Sequence, residues 1–160
     1  MPEAYPHILR KADIEAKEFT FSHPWNPKSQ ITGTMMGRMA GLKRTGVSVV
    51  RVPPGKESFA YHLHHREEEW VYVLSGAAVT TIDGQEYTLE EGDFVAFPTP
   101  SVPHIIANRT DRDLVYMMGG ENLSEEIADF PTLDRRIVRL NDALSVYKLS
   151  DGKPFFDEDA

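Results

Sequence analysis

The chain has 160 residues, a net charge of −8 and no cysteine, with 41% hydrophobic and 26% charged residues. These values fit one globular domain with a sizeable core. They argue against a nucleic-acid partner, whose phosphates need clustered Lys and Arg, and they exclude disulfides and thiolate metal sites. No apolar run is long enough to span a bilayer, and the N-terminus lacks the apolar core of a signal peptide. We therefore expect a cytoplasmic protein with no membrane partner.

Residues 1–45 contain too many breakers for a long element. A short pattern at Ile8-Leu9 and Phe19–Phe21 suggests edge strands, and the stretch Met35–Met39 is ambiguous. The interrupting residues are Pro24, Pro27, Gly33, Gly37 and Gly41.

Residues 46–118 form a series of short β-branched and aromatic runs separated by turns. The predicted strands are Val47–Val52, Phe59–His64, Glu69–Leu74, Ala77–Ile82, Gln85–Leu89, Phe94–Phe97, His104–Asn108 and Leu114–Met118. Asp83-Gly84 is a two-residue hairpin signal, because Gly tolerates positive φ. Many short strands without a convincing helix predict an all-β sandwich or barrel.

Residues 119–160 have a different pattern. Gly119–Asn122 predicts a loop, Ser124–Glu126 one helical turn, and Arg136–Leu140 and Val146–Leu149 two late strands. We expect a single domain over 1–160, with 46–118 as its core and both ends packed on the barrel or on a second subunit. Because sheet edges attract further strands, a homodimer paired through the N-terminal segment is expected. The alternative is a monomer whose own N-terminal strand covers that edge.

Two histidines separated by one residue, His62 and His64, point to the same side of an extended strand. With the carboxylate of Glu69 and a third imidazole at His104, the sequence offers three nitrogen donors and one oxygen donor. This set suits one divalent first-row ion, namely Mn, Fe, Co, Ni or Zn. An octahedral ion would keep two positions open for a small-molecule ligand.

The spacing of these residues resembles the two motifs of the cupin family. The first motif is matched by Gly55, His62, His64, Glu69 and Gly76, and the second by Gly92, Asp93, Pro98, His104 and Asn108. Two departures are visible. Gly55 lies one residue further from His62 than usual, and Thr99–Pro103 makes the second motif one residue longer and lacks its usual glycine.

This resemblance implies a double-stranded β-helix, or jelly-roll, barrel with N- and C-terminal extensions. It also implies that His62, His64, Glu69 and His104 converge on one metal ion inside the barrel. The whole chain resembles small single-domain cupins named as sugar phosphate isomerases. This is a likeness between families, and it does not rest on the chemistry of the site.

Neighbouring residues compete for the same roles. Glu67 and Glu69 share one face of a strand, and the six-residue interval from Glu69 to Gly76 favours Glu69 as the ligand. We expect Glu67 and Glu68 to form a solvated turn and His65 to be a surface histidine pointing away from the pair.

Three further residues are candidates for the substrate pocket. Arg51 either points inward, where it can bind a carboxylate or phosphate, or outward into solvent. Asn108 either orients a ligand or caps the turn that follows it. Tyr61 flanks the ligands in sequence, although an aromatic residue in a jelly roll is more often part of the core.

These observations favour a metal-dependent, isomerase-like enzyme on a small sugar- or keto-acid-like molecule, with the metal as Lewis acid. An Fe(II) dioxygenase and a non-catalytic small-molecule sensor are the alternatives. The sequence identifies no catalytic base. An isomerase pocket is expected to carry basic residues for an anionic substrate, whereas an oxygenase pocket is expected to be mostly apolar.

Overall fold

A computed structural model describes residues 5–141 and 143–154. The strands are β1 (Phe19–Phe21), β2 (Ile31–Thr34), β3 (Thr45–Val52), β4 (Leu63–His64), β5 (Glu69–Ser75), β6 (Ala77–Ile82), β7 (Gln85–Glu90), β8 (Phe94–Phe97), β9 (His104–Ala107), β10 (Leu114–Glu121), β11 (Glu125–Phe130), β12 (Arg135–Leu140) and β13 (Ala143–Tyr147). Two short helices, α1 (Lys11–Glu15) and α2 (Met36–Met39), and a 3₁₀ turn at Pro131–Leu133 accompany them. Within the described ranges, no helix is long and apolar enough to cross a membrane.

Antiparallel pairing arranges the strands in three sheets. The six-stranded sheet has the order β1-β2-β3-β10-β5-β8, the four-stranded sheet β13-β12-β11-β4, and the three-stranded sheet β7-β6-β9. The architecture is an all-β jelly roll, which confirms the predicted fold class.

Aliphatic side chains that alternate along the central strands fill the barrel. In β3, Val50 and Val52 are buried, whereas Arg51 between them keeps 42% of its side chain exposed. The main core consists of Ile31, Val50, Val52, Val71, Val73, Ala78, Ile106, Leu114 and Tyr116. Full burial of one large apolar side chain contributes about 1.5–3 kcal/mol. This core holds the strands from which the metal-site residues project.

The N-terminal segment contains a strand that the sequence analysis did not predict. β2 pairs with β3 on one side and with β1 on the other, so both strands extend the chain's own sheet. Gly33 lies within β2, where an added Cβ would be 2.3 Å from the carbonyl oxygen of Val49. Glycine is present here because two backbones approach closely, and not because the strand is broken.

The two glycines at the start of the predicted loop lie inside a strand. Gly119 and Gly120 pair with Trp70 and Glu69 across β10 and β5, so the loop prediction for Gly119–Asn122 is wrong over its first three residues. A Cβ at Gly119 would lie 2.3 Å from the Trp70 ring. Glycine therefore makes room for this indole, as strand glycines often do beside a bulky neighbour.

The segment that follows is a strand and not a helical turn, so the prediction for Ser124–Glu126 is also wrong. β11 pairs with β12 on one side and with β4 on the other, where Ala128 is opposite His64. Four of its six residues are buried, namely Glu126, Ala128, Asp129 and Phe130, so this strand is enclosed by its neighbours. The C-terminal extension is thereby bonded to the strand that carries His64.

The close approach at Gly33 gives a testable prediction. We expect Gly33→Ala to lower the free energy of unfolding by about 1–3 kcal/mol, since the methyl group meets a backbone oxygen that cannot rotate away. Gly46→Ala is the matched control, because the nearest atom to its Cβ is 3.9 Å away. Urea unfolding of both variants measures the effect, and equal stability of the two would contradict this packing.

The homodimer stays a prediction. β1 and β2 extend the chain's own sheet, but the outer side of β1 is unpaired among the described strands, so the N-terminal segment still offers an edge to a second copy. β13 offers another such edge, where Leu144, Val146 and Tyr147 are exposed. Light scattering on an eluting gel-filtration peak is expected to give twice the chain mass. A single-chain mass at all concentrations would reject the dimer.

Candidate metal centre

Each predicted ligand lies at or beside one end of a strand. His62 precedes β4, and it is joined to His104, the first residue of β9, by two backbone hydrogen bonds. The His62 N–H donates to the His104 carbonyl at 3.2 Å, and the His104 N–H donates back at 2.8 Å. The predicted strand Phe59–His64 is therefore reduced to Leu63–His64, while Glu69 opens β5.

The four side chains meet at their metal-binding atoms. His62 Nε2 lies 3.0 Å from His64 Nε2 and 3.9 Å from Glu69 Oε2. The same carboxylate oxygen lies 3.2 Å from His64 Nε2 and 3.4 Å from His104 Nε2. The structure thus places the ligand atoms of His62, Glu69 and His104 within 4.8 Å of one another, and His64 joins this group through its contacts with His62 and Glu69.

The spacing of these atoms fits a divalent ion. Ligands about 2.1 Å from a metal are separated by roughly 3.0 Å at adjacent octahedral positions and roughly 3.4 Å at tetrahedral ones. Three imidazole nitrogens and a carboxylate oxygen are also the donors that first-row divalent ions take. The residues present therefore fit the ion that the sequence predicts.

The surroundings of Glu69 and His62 keep both side chains in the protonation states that bind a cation. Burial by itself raises the pKa of Glu69, but hydrogen bonds from His104 and His64 outweigh it and hold that pKa far below its usual range. Burial, reinforced by repulsion from His104, lowers the pKa of His62 to about 3. Near neutral pH, Glu69 is thus an anion and His62 a neutral imidazole, which are the states that bind metal.

His64 differs from His62 because it lies between acidic groups. Burial lowers its pKa, but the hydrogen bond and charge of Glu69, followed by the charges of Glu126 and Glu67, outweigh burial and leave the pKa raised. Without an ion, His64 therefore holds its proton more strongly than a free histidine.

Comparisons with known proteins agree with this geometry. Residues 48–119 match the Cupin domain family. A solved structure from Acidithiobacillus ferrooxidans, provisionally named a sugar phosphate isomerase, is 33% identical, covers 94% of this chain and 97% of its own, and has a TM-score of 0.88. This chain belongs to the cupin superfamily.

Two further relatives extend this result. A structure from Silicibacter pomeroyi, described as a sugar phosphate isomerase from a cupin superfamily, is 27% identical over 89% of this cupin and 91% of that chain, with a TM-score of 0.75. The alginate biosynthesis protein AlgA of Pseudomonas aeruginosa is 28% identical over 127 residues, or 75% of this chain. The chain spans only 24% of the length of that curated relative.

A small cavity inside this cupin borders three of the four ligands, His62, Glu69 and His104. Its volume is about 30 Å³, which is room for one or two water molecules. The remaining walls include Phe59, Val71, Phe97, Ile106 and Met118, together with Ser58 and Tyr116. No Lys or Arg side chain belongs to this lining in the part of the chain that the structure describes.

The three pocket candidates from the sequence lie outside this cavity. Arg51 projects from the outer face of β3, 3.6 Å from Asp113 and 3.8 Å from Glu18. The Tyr61 hydroxyl accepts the backbone N–H of Gly84.

Asn108 is buried, and its side chain is hydrogen-bonded to the turn that follows it and to β3. Its amide nitrogen donates to the carbonyls of Val52 and Arg112, and its side-chain oxygen accepts from Thr110. It therefore caps the turn, which is the second of the two roles considered for it.

Two neighbours of the ligands also differ from expectation. Glu67 is 6% exposed and not solvated: it accepts the backbone N–H of Leu123 and pairs with Arg139. His65 does point away from the site, yet its Nε2 lies 2.8 Å from the buried carboxylate of Asp129. The sequence analysis had no partner for either group, because both partners come from the C-terminal extension.

A contact that the sequence analysis missed fixes the backbone of His64. The Ser101 hydroxyl accepts the His64 N–H at 2.7 Å, and the Ser101 N–H donates to the His64 carbonyl at 2.8 Å. Ser101 lies in the Thr99–Pro103 stretch that departs from the family spacing, so the departure itself was the available signal.

The raised pKa of His64 gives a prediction for metal binding. Because an ion must displace the proton from His64 Nε2, affinity is expected to fall as pH falls through that raised pKa and to level off above it. Titration calorimetry in buffers of different ionisation enthalpy should detect close to one proton released per ion at about pH 6 and a declining number at higher pH. Proton release that does not change with pH would contradict the charge state assigned to His64.

Proposed function

We propose that this cupin is a metal-dependent enzyme acting on a small polar molecule, with isomerisation of a sugar-phosphate- or keto-acid-like substrate as the leading reaction. The observation that carries the proposal is the convergence of His62, His64, Glu69 and His104 on one point. The 33% identity over 94% of the chain with a provisionally named sugar phosphate isomerase supports the reaction class.

In this proposal the four side chains hold the ion, and their different exposures indicate the side from which substrate approaches. These side chains would hold a divalent ion, which when bound would supply Lewis-acid polarisation of a substrate carbonyl. Glu69 keeps 30% of its side chain exposed, against 13%, 12% and 5% for His62, His64 and His104, so substrate approaches the centre from the Glu69 side. The histidines form the closed back of the site.

Tyr116 is the one phenol at the cavity, and it acts as a donor in this proposal. Its side chain is 1% exposed, burial raises its pKa, and the negative charge of Glu69 raises it further. The hydroxyl therefore keeps its proton near neutral pH and can donate a hydrogen bond into the cavity, but it cannot serve as a general base.

A specific observation favours the second candidate, an Fe(II) dioxygenase. The cavity beside the ligands is mostly apolar, and its described lining carries no cationic side chain for a phosphate. A space of about 30 Å³ is suited to a diatomic molecule or one or two waters, not to a sugar. A non-catalytic sensor, in which the same centre holds a metabolite without converting it, is the remaining alternative.

One experiment separates the three functions. Tag-free protein is analysed for its native metal, reloaded separately with Mn, Fe, Co, Ni or Zn, and assayed by NMR against aldose and ketose phosphates and keto acids, and by oxygen uptake. Isomer interconversion supports the leading reaction. Oxygen consumption by the iron form alone supports the dioxygenase, and tight metabolite binding without turnover supports the sensor.

Two variants make that experiment specific to the metal centre. We expect His64→Ala to retain less than about a tenth of the bound metal and to lose turnover by at least about 100-fold, since it removes a direct ligand. His65→Gln, which changes the neighbouring outward imidazole, is the matched control and should keep both. Metal-free wild-type protein, or a His64→Ala variant as active as wild type, would contradict the proposal.

A further inference from the structure

A second group of polar side chains lies behind His64, on the side away from the other ligands. It consists of His64, Glu67 and Glu126, whose nearest nitrogen and oxygen atoms all lie within 4.8 Å of one another. Glu67 and Glu126 are 6% and 5% exposed. Buried carboxylates are costly unless cations or hydrogen-bond donors compensate them, so each needs an account of its partners.

The two carboxylates differ in their partners. Glu67 pairs with the Arg139 guanidinium and accepts the Leu123 N–H at 2.6 Å. Glu126 accepts the His65 N–H through Oε1 at 3.0 Å, while its Oε2 is buried without a hydrogen-bond partner. The guanidinium of Arg139 thus compensates the charge of Glu67, whereas Glu126 can still accept a further hydrogen bond.

His64, in turn, has a ring nitrogen that lacks a hydrogen-bond partner. Its Nδ1 is buried without a hydrogen-bond partner and lies 3.4 Å from Glu126 Oε1. Its Nε2 faces His62 and Glu69 in the metal centre. If Nε2 is to offer a lone pair to an ion, the ring proton must be on Nδ1, where it needs an acceptor.

The other two histidines already follow this rule. His62 Nδ1 lies 2.7 Å from the Ala60 carbonyl oxygen, and His104 Nδ1 lies 3.0 Å from the Val102 carbonyl oxygen. Both rings therefore carry the proton on Nδ1 and turn Nε2 to the centre. His64 differs from them because the oxygen behind its Nδ1 belongs to a carboxylate and lies further away, at 3.4 Å.

We propose that Glu126 is a positioning residue of the metal centre: its carboxylate accepts the Nδ1–H of His64 and so fixes the tautomer and ring orientation that present Nε2 to a divalent cation. This inference rests on the metal centre of the proposed function. An anionic acceptor also makes the imidazole a stronger donor to the ion than a backbone carbonyl does. Glu126 belongs to β11, outside residues 48–119, so the C-terminal extension completes a site whose ligands all lie within the family match.

A second cation between His64, Glu67 and Glu126 is the competing interpretation of this group. It is disfavoured because Arg139 already supplies a positive charge to Glu67. It would also require His64 to bridge two ions through both ring nitrogens. The experiment below includes it as an outcome.

The test compares the metal affinities of Glu126→Leu and Glu126→Gln with wild type, by Co(II) titration against a competing chelator. We expect Glu126→Leu to weaken binding by about 10- to 100-fold and Glu126→Gln to lie between, because its amide oxygen accepts the proton without a charge. Glu125→Gln is the matched control: it is the preceding residue of the same strand, is exposed, and should bind within about twofold of wild type.

A structural readout separates positioning from general damage. In the Zn-loaded protein, long-range ¹H–¹⁵N spectra are expected to show His64 with its proton on Nδ1, and this signal should weaken or disappear in Glu126→Leu while circular dichroism stays unchanged. Folded Glu126→Leu with wild-type affinity and tautomer would overturn the inference alone. Two bound ions in wild type, falling to one in Glu126→Gln, would replace it by the second-cation site. Wild type without any bound ion would overturn the metal centre, and this inference with it.

Discussion

The pair of backbone hydrogen bonds between His62 and His104 is the constraint on which the metal centre depends. These residues are 42 positions apart, and the bonds of 3.2 and 2.8 Å join the segment before β4 to the start of β9. Phe97 stacks on the His104 ring at 3.7 Å between centroids, and Ser101 holds the His64 backbone. The ligands are therefore positioned by main-chain bonds and ring packing, which hold their side chains on rigid elements of the barrel.

Much of this arrangement was predictable because it depends on patterns of residues that are close together in the sequence. The short β-branched and aromatic runs between turn signals predicted β6 and β8 with the bounds that are observed, Ala77–Ile82 and Phe94–Phe97. His62-x-His64 gave a shared face by strand geometry alone. The six-residue interval to Gly76 gave Glu69, which is the carboxylate that the structure brings to the histidines.

The features that were missed depend on contacts distant in sequence. Glu67 and Glu126 look like solvated acids until Arg139 and the strand pairing of β11 are known. Gly33 and Gly119 look like breakers, yet each makes room for a group on a neighbouring strand, Val49 and Trp70 respectively. Single-sequence reasoning assigns glycine and glutamate by their average behaviour, and these residues are used here for close approach and for buried charge compensation.

The cavity and the family point to different chemistry around a common centre. Two similar structures are named as sugar phosphate isomerases, whereas the cavity beside His62 and His104 has mostly apolar walls and a volume of about 30 Å³. Both functions require the same three imidazoles and one carboxylate on a single ion. X-ray absorption at the metal K-edge of loaded protein tests that requirement most directly. The account predicts three histidine ligands, recognised by imidazole multiple scattering, and one carboxylate oxygen at roughly 2.0–2.2 Å. A shell with one imidazole or none would contradict it.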